Sequence, residues 1–113
     1  MASEDSDRIV LLQGTLDLIV LRLLRGGRAN GWDITQSIQV VSKGALEINY
    51  GSVYPALRRL EARGFVKAEW GTSDNNRRAR FYELTAAGRK QLAAEREAWE
   101  RFSAALGLIL DAS

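Results

Sequence analysis

Asn49-Tyr50-Gly51-Ser52-Val53-Tyr54-Pro55-Ala56-Leu57-Arg58-Arg59-Leu60-Glu61-Ala62-Arg63-Gly64-Phe65-Val66 runs on to Asn75-Asn76-Arg77-Arg78-Ala79-Arg80-Phe81-Tyr82-Glu83-Leu84-Thr85, and these two strings decide the fold. In the first, Val53, Leu57 and Leu60 recur at helical spacing, and Gly64 stops the pattern. Asn49 and Ser52 are both good N-caps. Pro55 leaves two options: Ser52 caps the helix and Pro55 falls in the first turn, or the helix starts at Asn49 and bends. At this spacing Pro55, Arg58, Arg59 and Ala62 point away from the apolar stripe, with Ser52 and Tyr54 near the leading end. In the second string, Val66, Ala68 and Trp70 alternate with Lys67 and Glu69 as in a strand. Gly71 to Asn76 is a polar loop, and Arg80 to Leu84 returns. A short helix with an arginine face, followed by a hairpin with a basic far end, is the layout of a winged helix-turn-helix.

Outward from this core the pattern is helical. Leu11 to Leu24 is apolar on almost every face, interrupted by Gln13, Asp17 and Arg22. Such a helix must be covered all round, either by its own core and a second subunit or by the rest of a compact monomer. Arg25-Gly26-Gly27 ends it. Ile34, Ile38 and Val41 predict a second helix over 32–41, with Trp32 in the core, after the turn signal Asn30-Gly31. Thr85 caps a final helix from Ala86 to about Leu110. Leu92, Trp99, Phe102, Leu106 and Ile109 line it as a seam for another helix. The expected class is α+β, mainly α: a polar, disordered tail over 1–8, a winged-helix unit over 9–85, and a dimerisation helix over 86–113.

Composition narrows the chemistry. The 113 residues suit one small domain. The chain has no Cys and no His. That removes disulfides, thiol catalysis and the commonest general base and metal ligand. Arg25-Gly26-Gly27-Arg28 lacks the spacing of a phosphate loop. We therefore expect no enzyme, no metal and no cofactor. No apolar run is long enough to span a membrane, and the acidic N-terminus does not resemble a signal peptide, which favours the cytoplasm. The net charge of +2 is divided unevenly. Between Asn49 and Lys90 nine basic residues face four acidic ones, whereas the remainder holds seven basic and ten acidic. A basic half of this kind is the footprint of a phosphate-binding surface.

Arg58 and Arg59 then read as major-groove contacts, against the alternative of a solvated face. Arg77, Arg78 and Arg80 read as phosphate contacts from the wing, Asp74 opposing them mildly. Arg80 has a second option, an ion pair with Glu69 across the hairpin. Asn49 and Ser52 can cap the helix and present its N-terminus to a phosphate. Tyr54 reads as a DNA contact or as packing on the wing, and Trp70 as packing. A winged helix used only for protein–protein contact is the rival; it predicts no salt-dependent DNA affinity.

Gly51-Ser52-Val53-Tyr54-Pro55-Ala56-Leu57-Arg58-Arg59-Leu60-Glu61, Gly64, and Arg77 with Phe81-Tyr82-Glu83-Leu84-Thr85-Ala86-Ala87-Gly88 closely resemble the PadR-like transcriptional regulators. Leu16 to Leu24 and Gly31-Trp32-Asp33-Ile34 fit the same pattern. The single last helix resembles the short-tailed members. The wing tip departs from it: Ser73-Asp74-Asn75-Asn76 stands where many relatives are Gly-rich, though Asn also tolerates tight turns. The resemblance implies a homodimer, a winged-helix reader of a pseudo-palindromic operator in double-stranded DNA, and repression relieved by a small effector. In some short relatives a tryptophan matching Trp99 lines a central cavity that stacks flat aromatic ligands. Trp99 and Phe102 are the effector candidates here, with ordinary helix packing as the alternative.

Overall fold

The structure, a computed structural model, describes residues 13–112. The tail expected over 1–8 and the start of the first helix lie outside these residues. Among them the order is α1 (Gln13–Leu24), β1 (Ala29–Asn30), α2 (Gly31–Val41), α3 (Tyr50–Ala62), β2 (Val66–Thr72), β3 (Arg78–Leu84) and α4 (Ala86–Leu110). This is the predicted winged helix-turn-helix with a long last helix. α2 and α3 form the helix-turn-helix, and the β2–β3 hairpin is the wing.

Residues four apart on α1 (Leu16 and Val20, then Leu24) meet Ile34 and Ile38 of α2 and Val53, Leu57 and Leu60 of α3 in one core. Burying such side chains contributes about 1.5–3 kcal/mol each. Leu18, Ile19 and Leu23, on the other side of α1, are only partly buried. Val41 is exposed, and Thr35 takes the inward position instead, its hydroxyl bonded to the Gly31 carbonyl at 2.8 Å. Leu92, expected in the seam of the last helix, belongs to this core.

β3 is central in the sheet, antiparallel to β1 and β2. The two-residue β1 carries no sequence signal of its own. It forms because Ala29 and Asn30 reach Tyr82 and Phe81. Asn30 then caps α2, its side chain accepting from the Asp33 N–H at 2.8 Å.

Three chain corners fix where the reading elements lie. At the end of α3, Gly64 is left-handed (φ 80°), and the Phe65 N–H reaches the Leu60 carbonyl at 2.9 Å. At the end of α2 the same motif carries Lys43 at φ 56°, a conformation that costs a side chain energy. At the wing tip Asn76 takes φ 61°, so the hairpin closes with asparagine in the left-handed position. The start of α4 is pinned to the end of α3: Thr85 Oγ1 donates to the Gly64 carbonyl at 2.7 Å and accepts from the Gly88 N–H at 3.0 Å. Gly88 lies so close to Phe65 that an added Cβ would sit 1.9 Å from its carbonyl oxygen.

Candidate nucleic-acid interface

Asn49, not Ser52, is the cap of α3, accepting from the Ser52 N–H at 3.0 Å. Pro55 sits inside the helix at the position whose missing N–H would have paired with Gly51. The positive end of the helix dipole thus opens at an exposed turn bearing Tyr50, Gly51 and Ser52. Farther along the exposed side, the Arg58 guanidinium stands 5.7 Å from the Tyr54 ring centroid, and Tyr54 stands 6.4 Å from Tyr50. A ring at that distance holds the guanidinium out along the helix surface.

Arg59 departs from the expected orientation. At about 100° per residue it lies about 60° round the helix from Ala56, which is buried with the apolar stripe, and so falls on the flank of α3. That flank faces α1, where Arg59 Nη2 donates to Asp17 Oδ1 at 2.8 Å. Asp17 is only 4% exposed, and a carboxylate so buried requires a charged partner. Arg80 is engaged too, but not with Glu69. The register sets Arg80 opposite Trp70 and Glu69 opposite Phe81, on the other face of the hairpin. Arg80 Nη2 instead meets Glu61 Oε2 at 2.8 Å, joining the wing to α3, while Glu69 lies 3.7 Å from Arg28. The Nε atoms of Arg59 and Arg80 are buried without a partner.

Arg77 and Arg78 are exposed at the end of the wing. Among the described residues neither they nor Arg58 pairs with a carboxylate. Between the wing and the leading ends of α2 and α3 runs an open groove of about 760 Å³, walled by Trp32, Tyr50, Tyr54, Trp70, Arg77 and Arg78. Three of these six escaped the sequence reading. Trp32, placed in the core, is 61% exposed. Gly31 takes the inward position beneath Tyr50, where a Cβ would come 2.7 Å from the ring. Trp70 is 56% exposed because β2 runs on past the core. Tyr50 directly follows the N-cap Asn49, so its place at the exposed start of α3 is visible in the sequence. Tyr82, at the floor, has its phenol pKa raised by burial, with Arg80 pulling the other way.

The effector candidates lie on the distal half of α4. Trp99 and Phe102 are 46% and 57% exposed, with ring centroids 5.8 Å apart. Leu106, Leu108, Ile109 and Leu110 continue the exposed apolar surface. The acidic residues around Trp99 are engaged along the helix: Glu97 with Arg101 at 2.5 Å, Glu100 with Arg96 at 3.7 Å, and Glu95 with Gln91 at 2.9 Å.

A scan against family models matches residues 20–94 to the transcriptional regulator PadR-like family. The chain belongs to that family. A transcriptional regulator of Mycobacterium tuberculosis is 37% identical over 65 residues, 58% of this chain and 60% of the relative. A transcriptional regulator from Clostridium thermocellum superposes with a TM-score of 0.76 at 26% identity, covering 95% of each chain. Bacillus subtilis PadR, solved in complex with operator DNA, superposes with a TM-score of 0.63 at 26% identity, over 70% of this chain and 45% of its own. Among the described residues no helix is long and apolar enough to cross a membrane.

Proposed function

We propose that this PadR-like regulator binds operator DNA as a homodimer and acts as a repressor. One observation carries the reading: the exposed leading half of α3 and the arginine-bearing end of the wing flank the same groove. Ser52, Tyr54 and Arg58 are the groups to meet base edges in the major groove. The capped N-terminus of α3 and the side chains of Arg77 and Arg78 are the groups to meet phosphates. Arg59 and Arg80 are held by Asp17 and Glu61, so their part is to position α3 and the wing. The half-buried outer side of α1 and the apolar distal half of α4 suit a two-fold partner. A small planar aromatic effector at Trp99 and Phe102 would relieve repression by favouring a different angle between subunits.

Fluorescence anisotropy of a labelled duplex against salt concentration tests this reading. Wild type should lose affinity steeply as salt rises, and Arg77→Ala or Arg78→Ala should lower the log–log slope by about one. A module that binds only proteins would show no salt-dependent DNA affinity. For the effector, planar aromatic dyes should quench tryptophan fluorescence in wild type and not in Trp99→Ala; equal quenching in both would place the site elsewhere.

A further inference from the structure

On the groove side of the wing, Trp70 of β2 stands in register with Arg80 of β3, and Thr72 with Arg78. Arg78 Cζ lies 4.7 Å from the centroid of the Trp70 ring, and Arg80 Cζ lies 6.0 Å from it. Arg80 is in turn fixed to Glu61 of α3 at 2.8 Å. The four side chains make a continuous ladder, Glu61–Arg80–Trp70–Arg78, from the recognition helix to the exposed end of the wing. Two features set Trp70 apart from a core residue. It is exposed, so little burial accounts for a tryptophan there. It also draws two guanidinium groups that would otherwise repel each other at neighbouring positions on one strand face. A ring between them offers each an attractive face and separates the charges.

We infer that Trp70 is a positioning residue for DNA binding: it holds the Arg78 guanidinium in the pose that meets a phosphate, and the Glu61–Arg80 pair sets the angle of the wing on α3. The inference rests on the proposed DNA reading and adds to it a division of labour among the wing arginines. Arg78 touches the backbone, whereas Arg80 and Trp70 act through it. Without the ring Arg78 explores many rotamers, and the entropy of ordering it falls on the binding step.

A double-mutant cycle on the full-length protein tests this, with a fluorescein-labelled mixed-sequence duplex as probe, because phosphate contacts do not depend on sequence. Trp70→Ala should weaken binding about two- to fivefold and lower the salt slope by up to about one. Trp70→Phe should restore most of both. In an Arg78→Ala background Trp70→Ala should change little further, because the group it orients is gone. The charge swap Glu61→Arg with Arg80→Glu should bind better than Arg80→Glu alone, since it restores the pair while removing the arginine from its place. Additive losses for Trp70→Ala and Arg78→Ala, or an unchanged salt slope in Trp70→Ala, would overturn the role of Trp70. A charge swap as defective as Arg80→Glu would return Arg80 to direct phosphate contact. Failure of wild type to bind the duplex at low salt would instead overturn the DNA reading on which this one stands.

Discussion

Removing either partner of the Asp17–Arg59 pair should have unequal consequences, and the structure gives their sizes. The Asp17 side chain is 6% exposed, whereas that of Arg59 is 32% exposed. In Arg59→Ala the carboxylate is left in the core and cannot reach water unless α1 moves off Leu57 and Leu60. An uncompensated buried charge of this kind costs about 3–5 kcal/mol. In Asp17→Ala the long arginine side chain can swing outward and hydrate. What is lost is one charged hydrogen bond, about 1–2 kcal/mol after hydration of the freed guanidinium. Replacing both partners by apolar residues of similar volume, Asp17→Leu with Arg59→Met, should return stability to near the wild-type value. Urea unfolding, monitored by circular dichroism at fixed protomer concentration, measures all three, provided that the m-value is constant. Equal losses in the two single variants, or a loss below about 1 kcal/mol in Arg59→Ala, would refute the assignment of Arg59 to the interior.

Other consequences are local. Gly88→Ala forces a Cβ against the Phe65 carbonyl and should cost about 3 kcal/mol or more in urea unfolding, since backbone lies on both sides of the contact. Lys43→Gly relieves a left-handed lysine at the end of α2 and should raise stability by about 1 kcal/mol in the same assay. Tyr82 has a pKa raised by burial, so the unfolded chain releases this proton first as pH climbs past about 10. The stability tied to it is complete below that pH and declines as pH rises toward the folded-state value. Tyr82→Phe should therefore show a smaller alkaline fall in urea midpoint than wild type.

Local chemistry made much of the fold legible. Alternation at Val66, Ala68 and Trp70 marked the wing. Thr85 marked the start of α4, and Gly64 marked the end of α3. Strand β1 was not legible because two residues carry no period; their pairing with Tyr82 and Phe81 is decided by the turn after α1. Which carboxylates hold the candidate arginines was not legible, for a related reason. An arginine run shows charge but not which carboxylate the fold brings alongside. Arg59 and Asp17 are 42 residues apart, and Arg80 and Glu61 are 19 apart, so neither partner can be read from local spacing. Trp32 misled because a tryptophan on an amphipathic helix usually goes inward. Here Gly31 takes the inward place, and the tryptophan turns to the groove.

Selection of binding sites from a random duplex pool, run in parallel for wild type and Arg58→Ala, tests the central claim most directly. Wild type should enrich an inverted repeat with half-sites about one helical turn apart or a multiple of it. Arg58→Ala should enrich the same repeat with one position in each half-site relaxed, equivalent to about 1–3 kcal/mol of lost discrimination. An unenriched pool for wild type, or identical motifs from the two proteins, would contradict the placing of α3 in the major groove.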